Sequence, residues 1–161
     1  MTDATEVAKK FAVQGKTKLF NASITMPQGS GLRLVLVAAS ESGKPDSDLY
    51  GVLDRKWKQA KVELKGWYQS RTNFKLGAVK DVATQSDVWL LNMLCLDKDN
   101  QVNEKALISC VKEVAKVAAY ERASIHCSTL LTDVFPQLQE LLMTNLVEKG
   151  ISVFFYKEPQ K

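Results

Sequence analysis

The chain has 161 residues, of which 45% are apolar and 25% are charged. These values are ordinary for one globular domain with a sizeable core, and no low-complexity segment, internal repeat or domain linker interrupts the chain. The 22 basic and 18 acidic residues give a net charge of +4. Because the two signs are interleaved, nucleic acid is not an expected partner. A basic cluster at 55–58, continuing to Lys61 and Lys65, is predicted to be a solvated helix face, with phosphate binding as the alternative.

The three cysteines, Cys95, Cys110 and Cys127, are widely spaced, and each lies in an apolar run. They are therefore predicted to be small buried hydrophobes, and neither a disulfide framework nor a zinc site is expected. Residues 1–18 lack the apolar core and the cleavage pattern of a signal peptide, and the longest apolar run is too short to span a bilayer. A reducing, cytoplasmic location is the expectation that follows.

The first half of the chain contains two strand patterns. Residues 3–14 predict either a short helix or a loose arm ahead of the strands. Residues 18–25 predict a strand that runs into the turn-rich loop 26–31. The nearly unbroken apolar run of residues 32–39 predicts a central strand that is buried on both faces of its sheet.

A polar stretch, residues 40–48, separates this strand from an amphipathic pattern. The pattern predicts one helix from about residue 49 to residue 65, with Ser47 or Asp48 as its N-cap. Gly66 is expected to end or kink this helix.

The second half alternates strands with helices. Residues 78–83 and 88–96 predict two antiparallel strands joined by a polar turn. The elements that follow are a helix at 103–120, a strand at 123–126, a helix at 135–149 and a strand at 151–156. Such alternation is typical of an α/β sheet, in which ligand sites lie at the carboxyl ends of the strands.

Short segments occur in the order that is found in macro domains, the ADP-ribose-binding α/β family. Ser-Ile-Thr at 23–25 resembles the Gly-Asp-Ile-Thr entry of the family, and the run from Val37 to Lys44 resembles its strand that ends in Asn-Asp-x-Gly. The other segments are 53–57, 76–79, 88–93, 106–111, 123–126 and 153–156. On this ordered set the chain resembles a divergent single-domain macro domain of bacterial or phage type.

The resemblance covers residues 18–157, and it implies one macro-like domain over 1–161 in which residues 1–17 are an arm or a short helix. The implied fold is a three-layer α/β/α domain, with a mixed central sheet of about six strands and helices on both faces.

The resemblance also implies where a ligand would bind. In the family an Asp after the first strand holds the adenine amino group, and this place falls on Ser23. The family's Asn that orients the distal ribose corresponds to Ser40 here. The family's Gly-rich loop, which approaches the diphosphate, corresponds to the loop that contains Gly43. An aromatic residue that stacks on adenine in related sheets falls on Tyr156. The residues expected to contact the ligand are Ser23, Ile24, Ser40, Ser42, Gly43, Lys44, Ser128, Thr129, Leu130, Thr132 and Tyr156.

Both phosphate loops depart from the family pattern. In the first loop Pro45 lacks a backbone donor, and Asp46 and Asp48 would repel phosphate. In the second loop the family reads Pro-Arg-Ile-Gly-x-Gly, whereas residues 127–133 contain no glycine and include Asp133. These changes favour a loss or a change of the ligand.

One branch of the family hydrolyses protein-linked ADP-ribose with a Lys on the first helix and an Asp in the second loop. Asp133 lies near the second place, and either Arg55 or Lys56 lies near the first. An arginine could not act as an amine nucleophile because it stays protonated. Glu41, at a strand end, is a second candidate general base. The only histidine, His126, is expected to be a hydrogen-bonded strand-end residue rather than a base.

Three functions stay open at this point. The first is binding of ADP-ribose or a related adenine nucleotide at the strand ends, by residues 23–25, 40–48 and 127–133. The second is a degenerate macro fold that acts as a protein-interaction module without nucleotide, in which case the partner is a protein. The third is hydrolysis of ADP-ribosyl groups or of ADP-ribose 1″-phosphate. No metal, no cofactor and no membrane contact is expected, and the chain is expected to be a monomer or a weak dimer.

Overall fold

The computed structural model describes residues 15–159, so the helix or arm predicted for residues 3–14 lies outside the described residues. The strands are β1 (Thr17–Phe20), β2 (Arg33–Ser40), β3 (Val79–Ala83), β4 (Val88–Leu96), β5 (Ser124–Ser128) and β6 (Val153–Tyr156). The helices are α1 (Asp48–Asp54), α2 (Gln59–Ser70), α3 (Glu104–Glu121), α4 (Thr129–Thr132) and α5 (Pro136–Asn145). A 3-10 turn, Val147–Lys149, follows α5.

The six strands form one mixed sheet in the order β1-β6-β5-β2-β4-β3. The five strands β1, β6, β5, β2 and β4 are parallel to one another. The edge strand β3 pairs antiparallel with β4, as the alternating pattern predicts. The helices cover both faces of the sheet, which confirms the predicted α/β fold class. Because five strands run in the same direction, their carboxyl ends meet at one edge of the sheet, where ligand sites are expected.

The central strands and the longest helix follow their local sequence patterns. In β2 every residue after Arg33 is buried, as a strand covered on both faces requires. The helix α3 begins at its N-cap Asn103, whose side chain accepts a hydrogen bond from the Ala106 N–H at 2.9 Å. Its buried residues Ala106, Cys110 and Val114 recur every four positions and face the core. All three cysteines are free and buried, which confirms their prediction as small core residues.

The prediction of a single helix over residues 49–65 is wrong, because the chain forms two helices with a break between Asp54 and Gln59. Trp57 lies in the break and is buried, and its Nε1 donates to Oε1 of Gln85 at 2.9 Å. The second helix runs through Gly66 to Ser70 because Trp67 is also buried, and an exposed helical glycine costs only about 1 kcal/mol.

The strand predicted for residues 18–25 is also shorter, since β1 ends at Phe20. The chain then turns, and the Ser23 hydroxyl accepts a hydrogen bond from the Thr25 N–H at 3.2 Å. Such short-range side-chain bonds satisfy the backbone outside the sheet and therefore favour a turn over a longer strand. The turn directs Ile24 into the core, where it is fully buried.

Candidate functional site

A cavity of about 280 Å³ opens at the carboxyl ends of β2 and β4. It lies between the loop after β2, the start of α1, and α4 with the turn that follows it. Its apolar lining includes Ala38, Tyr50, Leu96, Leu130, Val134 and Phe135. This location is the sheet edge at which the sequence predicts a ligand site.

The charged residues at this cavity are Lys44, Asp46, Asp48 and Asp133, and all four are exposed. One positive and three negative side chains give the cavity a formal charge of −2. Asp48 also lies in the first turn of α1, where a carboxylate stabilises the helix dipole. An anionic ligand would therefore find one favourable charge and three unfavourable ones at this cavity.

The loop after β2 is held together by the Ser40 hydroxyl. This buried group donates to the Asp97 carbonyl at 2.7 Å and accepts from the N–H and the hydroxyl of Ser42, both at 3.1 Å. A hydroxyl has one donor and two acceptor positions, so the hydrogen-bonding capacity of Ser40 is filled. Ser40 lines the cavity but stabilises the loop instead of presenting a free polar group to it.

Gly43 has a structural reason to be glycine in this loop. Its φ is +71°, and a Cβ at this position would lie 2.3 Å from Cγ of Tyr68. Any larger residue would collide with the tyrosine ring and would adopt a strained backbone conformation. The glycine that the resemblance assigns to phosphate binding is thus needed for packing against α2, and it does not line the cavity.

The second predicted phosphate loop is the short helix α4. Its N-cap Ser128 is buried and accepts the Leu130 N–H at 3.1 Å, while the Asp133 N–H donates to the Thr129 carbonyl at 2.9 Å. The Thr132 hydroxyl donates to the same carbonyl at 3.5 Å. Leu130 and Asp133 line the cavity, whereas Ser128, Thr129 and Thr132 do not.

The predicted adenine position is occupied by a side chain of the chain itself. A carboxylate oxygen of Glu158 accepts from the Ile24 N–H at 2.8 Å and from the Ser23 hydroxyl at 3.1 Å. Neither Ser23 nor Ile24 lines the cavity. Glu158 was missed by the sequence reasoning because it follows the last strand and belongs to no motif.

The structure places Tyr156 in the core, where it is fully buried, and its stacking on a ligand stays a prediction. Its ring stacks on Phe20, with 5.3 Å between the ring centroids. Its hydroxyl accepts from the Gln28 N–H at 2.8 Å and lies 2.7 Å from Nδ1 of His126. The aromatic residue therefore connects β6 to the loop after β1 and does not form a wall of the cavity.

His126 is fully buried, and its Nε2 lies 2.7 Å from the Ser124 hydroxyl. Burial, with a smaller contribution from the positive charge of Arg33, lowers its pKa to about 3. The ring is therefore neutral at physiological pH. This confirms the prediction of a hydrogen-bonded histidine, but the structure places His126 in the middle of β5 and not at its end.

Of the remaining catalytic candidates, only Asp133 lines the cavity. Glu41 donates its N–H to the Leu96 carbonyl at 3.0 Å, and its side chain is not part of the lining. Lys56 donates to the Thr25 carbonyl at 2.8 Å, and Arg55 is exposed, so neither reaches the cavity. The structure thus brings together Ser40, Lys44, Leu130 and Asp133 from the predicted set.

Within residues 15–159, no three His, Cys, Asp or Glu side chains lie close enough together to hold a metal ion. Among the helices of these residues, none combines the length and the apolar character that crossing a membrane requires.

No protein-family model and no curated protein matches the sequence. Solved structures do match the fold. A protein of unknown function from Bacteroides thetaiotaomicron has a TM-score of 0.81 at 23% identity, over 89% of this chain and 98% of that chain. A macrodomain protein from Streptomyces coelicolor has a TM-score of 0.81 at 23% identity, over 88% of this chain and 98% of that chain. Thermosipho africanus DarTG in complex with ADP-ribose has a TM-score of 0.66 at 12% identity, over 88% of this chain and 41% of that chain. The chain therefore has the macrodomain fold.

Proposed function

We propose that this chain binds ADP-ribose or a related adenine nucleotide at the carboxyl ends of its strands. The observation that carries the proposal is the cavity between the loop after β2 and α4, in a fold for which one solved neighbour contains ADP-ribose. A volume of about 280 Å³ is near the lower limit for a ligand pocket. The cavity therefore takes a sugar-sized part of the ligand, and the remainder lies outside it.

The polar groups of the cavity suit a sugar better than a diphosphate. Asp46 and Asp133 supply carboxylate oxygens, which accept hydrogen bonds from sugar hydroxyls, and Asn100 supplies an amide. Lys44 is the cation available to a phosphate at this cavity. We expect modest affinity for a diphosphate. Loop N–H groups that could bind it are hydrogen-bonded to side chains of the loop, and carboxylates stand where a positive rim would attract it.

A specific observation favours a second candidate, a protein-interaction module that binds no nucleotide. Glu158 already bonds the Ser23 hydroxyl, which the resemblance assigns to adenine, and the N–H of Ile24, a second expected ligand contact. A ligand base would have to displace this carboxylate. The third candidate, a hydrolase, depends on Asp133 alone among its proposed acids and bases.

The test is calorimetric titration of the protein with ADP-ribose, with AMP and ATP for comparison. Val134 lines the cavity and is 67% exposed, so Val134→Trp should fill the cavity mouth without disturbing the core. Ile108→Trp on α3, at a site that is 38% exposed and remote from the cavity lining, is the matched control. We expect heat that is selective for ADP-ribose in the wild-type protein and in Ile108→Trp, and none in Val134→Trp.

Absence of heat at millimolar ADP-ribose would overturn the binding proposal and leave the interaction module. Turnover of an ADP-ribosylated protein or of ADP-ribose 1″-phosphate, abolished by Asp133→Ala, would identify a hydrolase instead.

A further inference from the structure

A second concavity, a groove of about 480 Å³, lies between α2 and the loop after β2. Its lining includes Lys44, Pro45, Lys61, Val62, Lys65 and Tyr68, and none of its lining residues is acidic. Of these, Lys44 alone also lines the cavity described above. We call this surface the lysine groove.

The charges of the lysine groove are uncompensated. Lys61 and Lys65 are four residues apart on α2, so they share one helix face and repel each other. The ion pairs found between residues 15 and 159 join Arg33 to Asp87 and Lys58 to Asp54, so none of the three groove lysines is paired there. This repulsion lowers the stability of α2. An anion bound between the lysines would remove the repulsion.

The groove also offers an apolar contact. The Val62 side chain is 66% exposed, and Pro45 lies in the same lining. The Arg71 guanidinium lies 4.2 Å from the centroid of the Tyr68 ring and covers one face of it, while Phe74 packs edge-to-face against the same ring at 5.5 Å. These contacts compete with a nucleic-acid base for the ring, whereas Val62 is free for an aliphatic side chain.

We propose that the lysine groove binds an acidic peptide segment of a partner protein. An aliphatic side chain of that segment contacts Val62 and Pro45, and carboxylates on either side of it contact Lys44, Lys61 and Lys65. Charge complementarity selects an acidic partner, and the apolar contact selects a peptide over a polyphosphate chain. This inference does not depend on nucleotide binding, because the lysine groove shares only Lys44 with the cavity.

The test is fluorescence anisotropy with a labelled Glu-Glu-Leu-Glu-Glu peptide, capped at both ends. A Gln-Gln-Leu-Gln-Gln peptide of the same length and an oligothymidylate are the comparison probes. We expect the acidic peptide to bind most tightly, with an affinity that falls as salt is added. Lys65→Glu should weaken binding about tenfold, because it replaces an attraction by a repulsion of similar size. Val62→Asn, which adds no charge, should weaken it through loss of the apolar contact.

The matched control is Lys112→Glu, which makes the same charge change at an exposed position of α3. This variant should bind the acidic peptide as the wild type does, which separates a local contact from an effect of net charge. Equal losses in Lys112→Glu and Lys65→Glu would overturn the proposal. So would equal affinity for the glutamine peptide, tighter binding of the oligothymidylate, or no binding of the acidic peptide at millimolar concentration.

Discussion

The carboxylate of Glu158 accepts a hydrogen bond from the backbone N–H of Ile24 at 2.8 Å, and these residues are 134 positions apart in the chain. The bond ties the segment after β6 to the loop after β1. The Ser23 hydroxyl donates to the same carboxylate at 3.1 Å and the adjacent Lys157 N–H donates to the Phe20 carbonyl at 2.9 Å, so three hydrogen bonds hold these segments together. A hydrogen bond to a charged group is stronger than a neutral one, which makes Glu158 the main contact here.

Replacing Glu158 by alanine should therefore have opposite effects on stability and on ligand affinity. We expect a loss of about 1–2 kcal/mol in the free energy of unfolding, because the bond to the Ile24 N–H is removed. If adenine binds at this position, the affinity for ADP-ribose should rise several-fold, since no carboxylate has to be displaced. Urea denaturation and calorimetry measure the two effects. Glu140→Ala, at an exposed site on α5, is the control and should change neither.

The buried histidine predicts how stability depends on pH. The pKa of His126 is about 3 in the folded chain, and a histidine in the unfolded chain titrates near 6.5. Between these values the unfolded state binds a proton that the folded state does not, so stability falls as the pH falls below about 6.5. This single group should lower the free energy of unfolding by about 2 kcal/mol between pH 7 and pH 5.

Denaturant unfolding at several pH values, compared between the wild type and His126→Asn, measures this contribution. The variant is expected to be less stable at pH 7 because it loses the bonds to Tyr156 and Ser124. Its dependence on pH should nevertheless be shallower than that of the wild type. Equal slopes for the two proteins would contradict the assignment to His126.

The negative charge around the cavity should limit its affinity for anions. Asp133→Asn removes one repulsive charge and should strengthen ADP-ribose binding about two- to fivefold, while Lys44→Ala should weaken it by a similar factor. Titrations at low and at high salt check this, because both effects should shrink as salt is added. Asp81→Asn on β3 is the control for the change in net charge. An unchanged affinity in Asp133→Asn would place the phosphates away from α4.

Replacement by alanine should have opposite effects on the stability of the protein at Gly43 and at Gly66. Gly43→Ala introduces a Cβ that would lie 2.3 Å from the Tyr68 ring at a φ of +71°, so we expect a loss of roughly 2–4 kcal/mol. Gly66→Ala adds a methyl group to an exposed helical position with open space around it, and it should stabilise the protein by about 0.5–1 kcal/mol. Thermal or denaturant unfolding of both variants measures the difference. Destabilisation by Gly66→Ala would contradict the continuous helix α2.

Local sequence patterns determined much of the fold. The run of residues 88–96 coincides with β4, and α3 differs by one residue at each end from the helix predicted for 103–120. The pairing of β3 with β4 followed from their alternation and the short turn between them. These features are predictable because apolar periodicity, capping and short turns depend on neighbouring residues. The polar loop of residues 40–48 was placed at a strand end for the same reason.

The tertiary structure alone decided how the candidate site is built. Trp57 lies in the break of a predicted helix with its indole on Gln85, and Tyr156 is buried with its hydroxyl between Gln28 and His126. Glu158 occupies the bonds that a motif assigned to a ligand. Each of these contacts joins residues far apart in the sequence, so no local pattern encodes it. Local patterns thus predict most of the elements and the sheet edge, whereas long-range packing determines which side chains at that edge are free to bind.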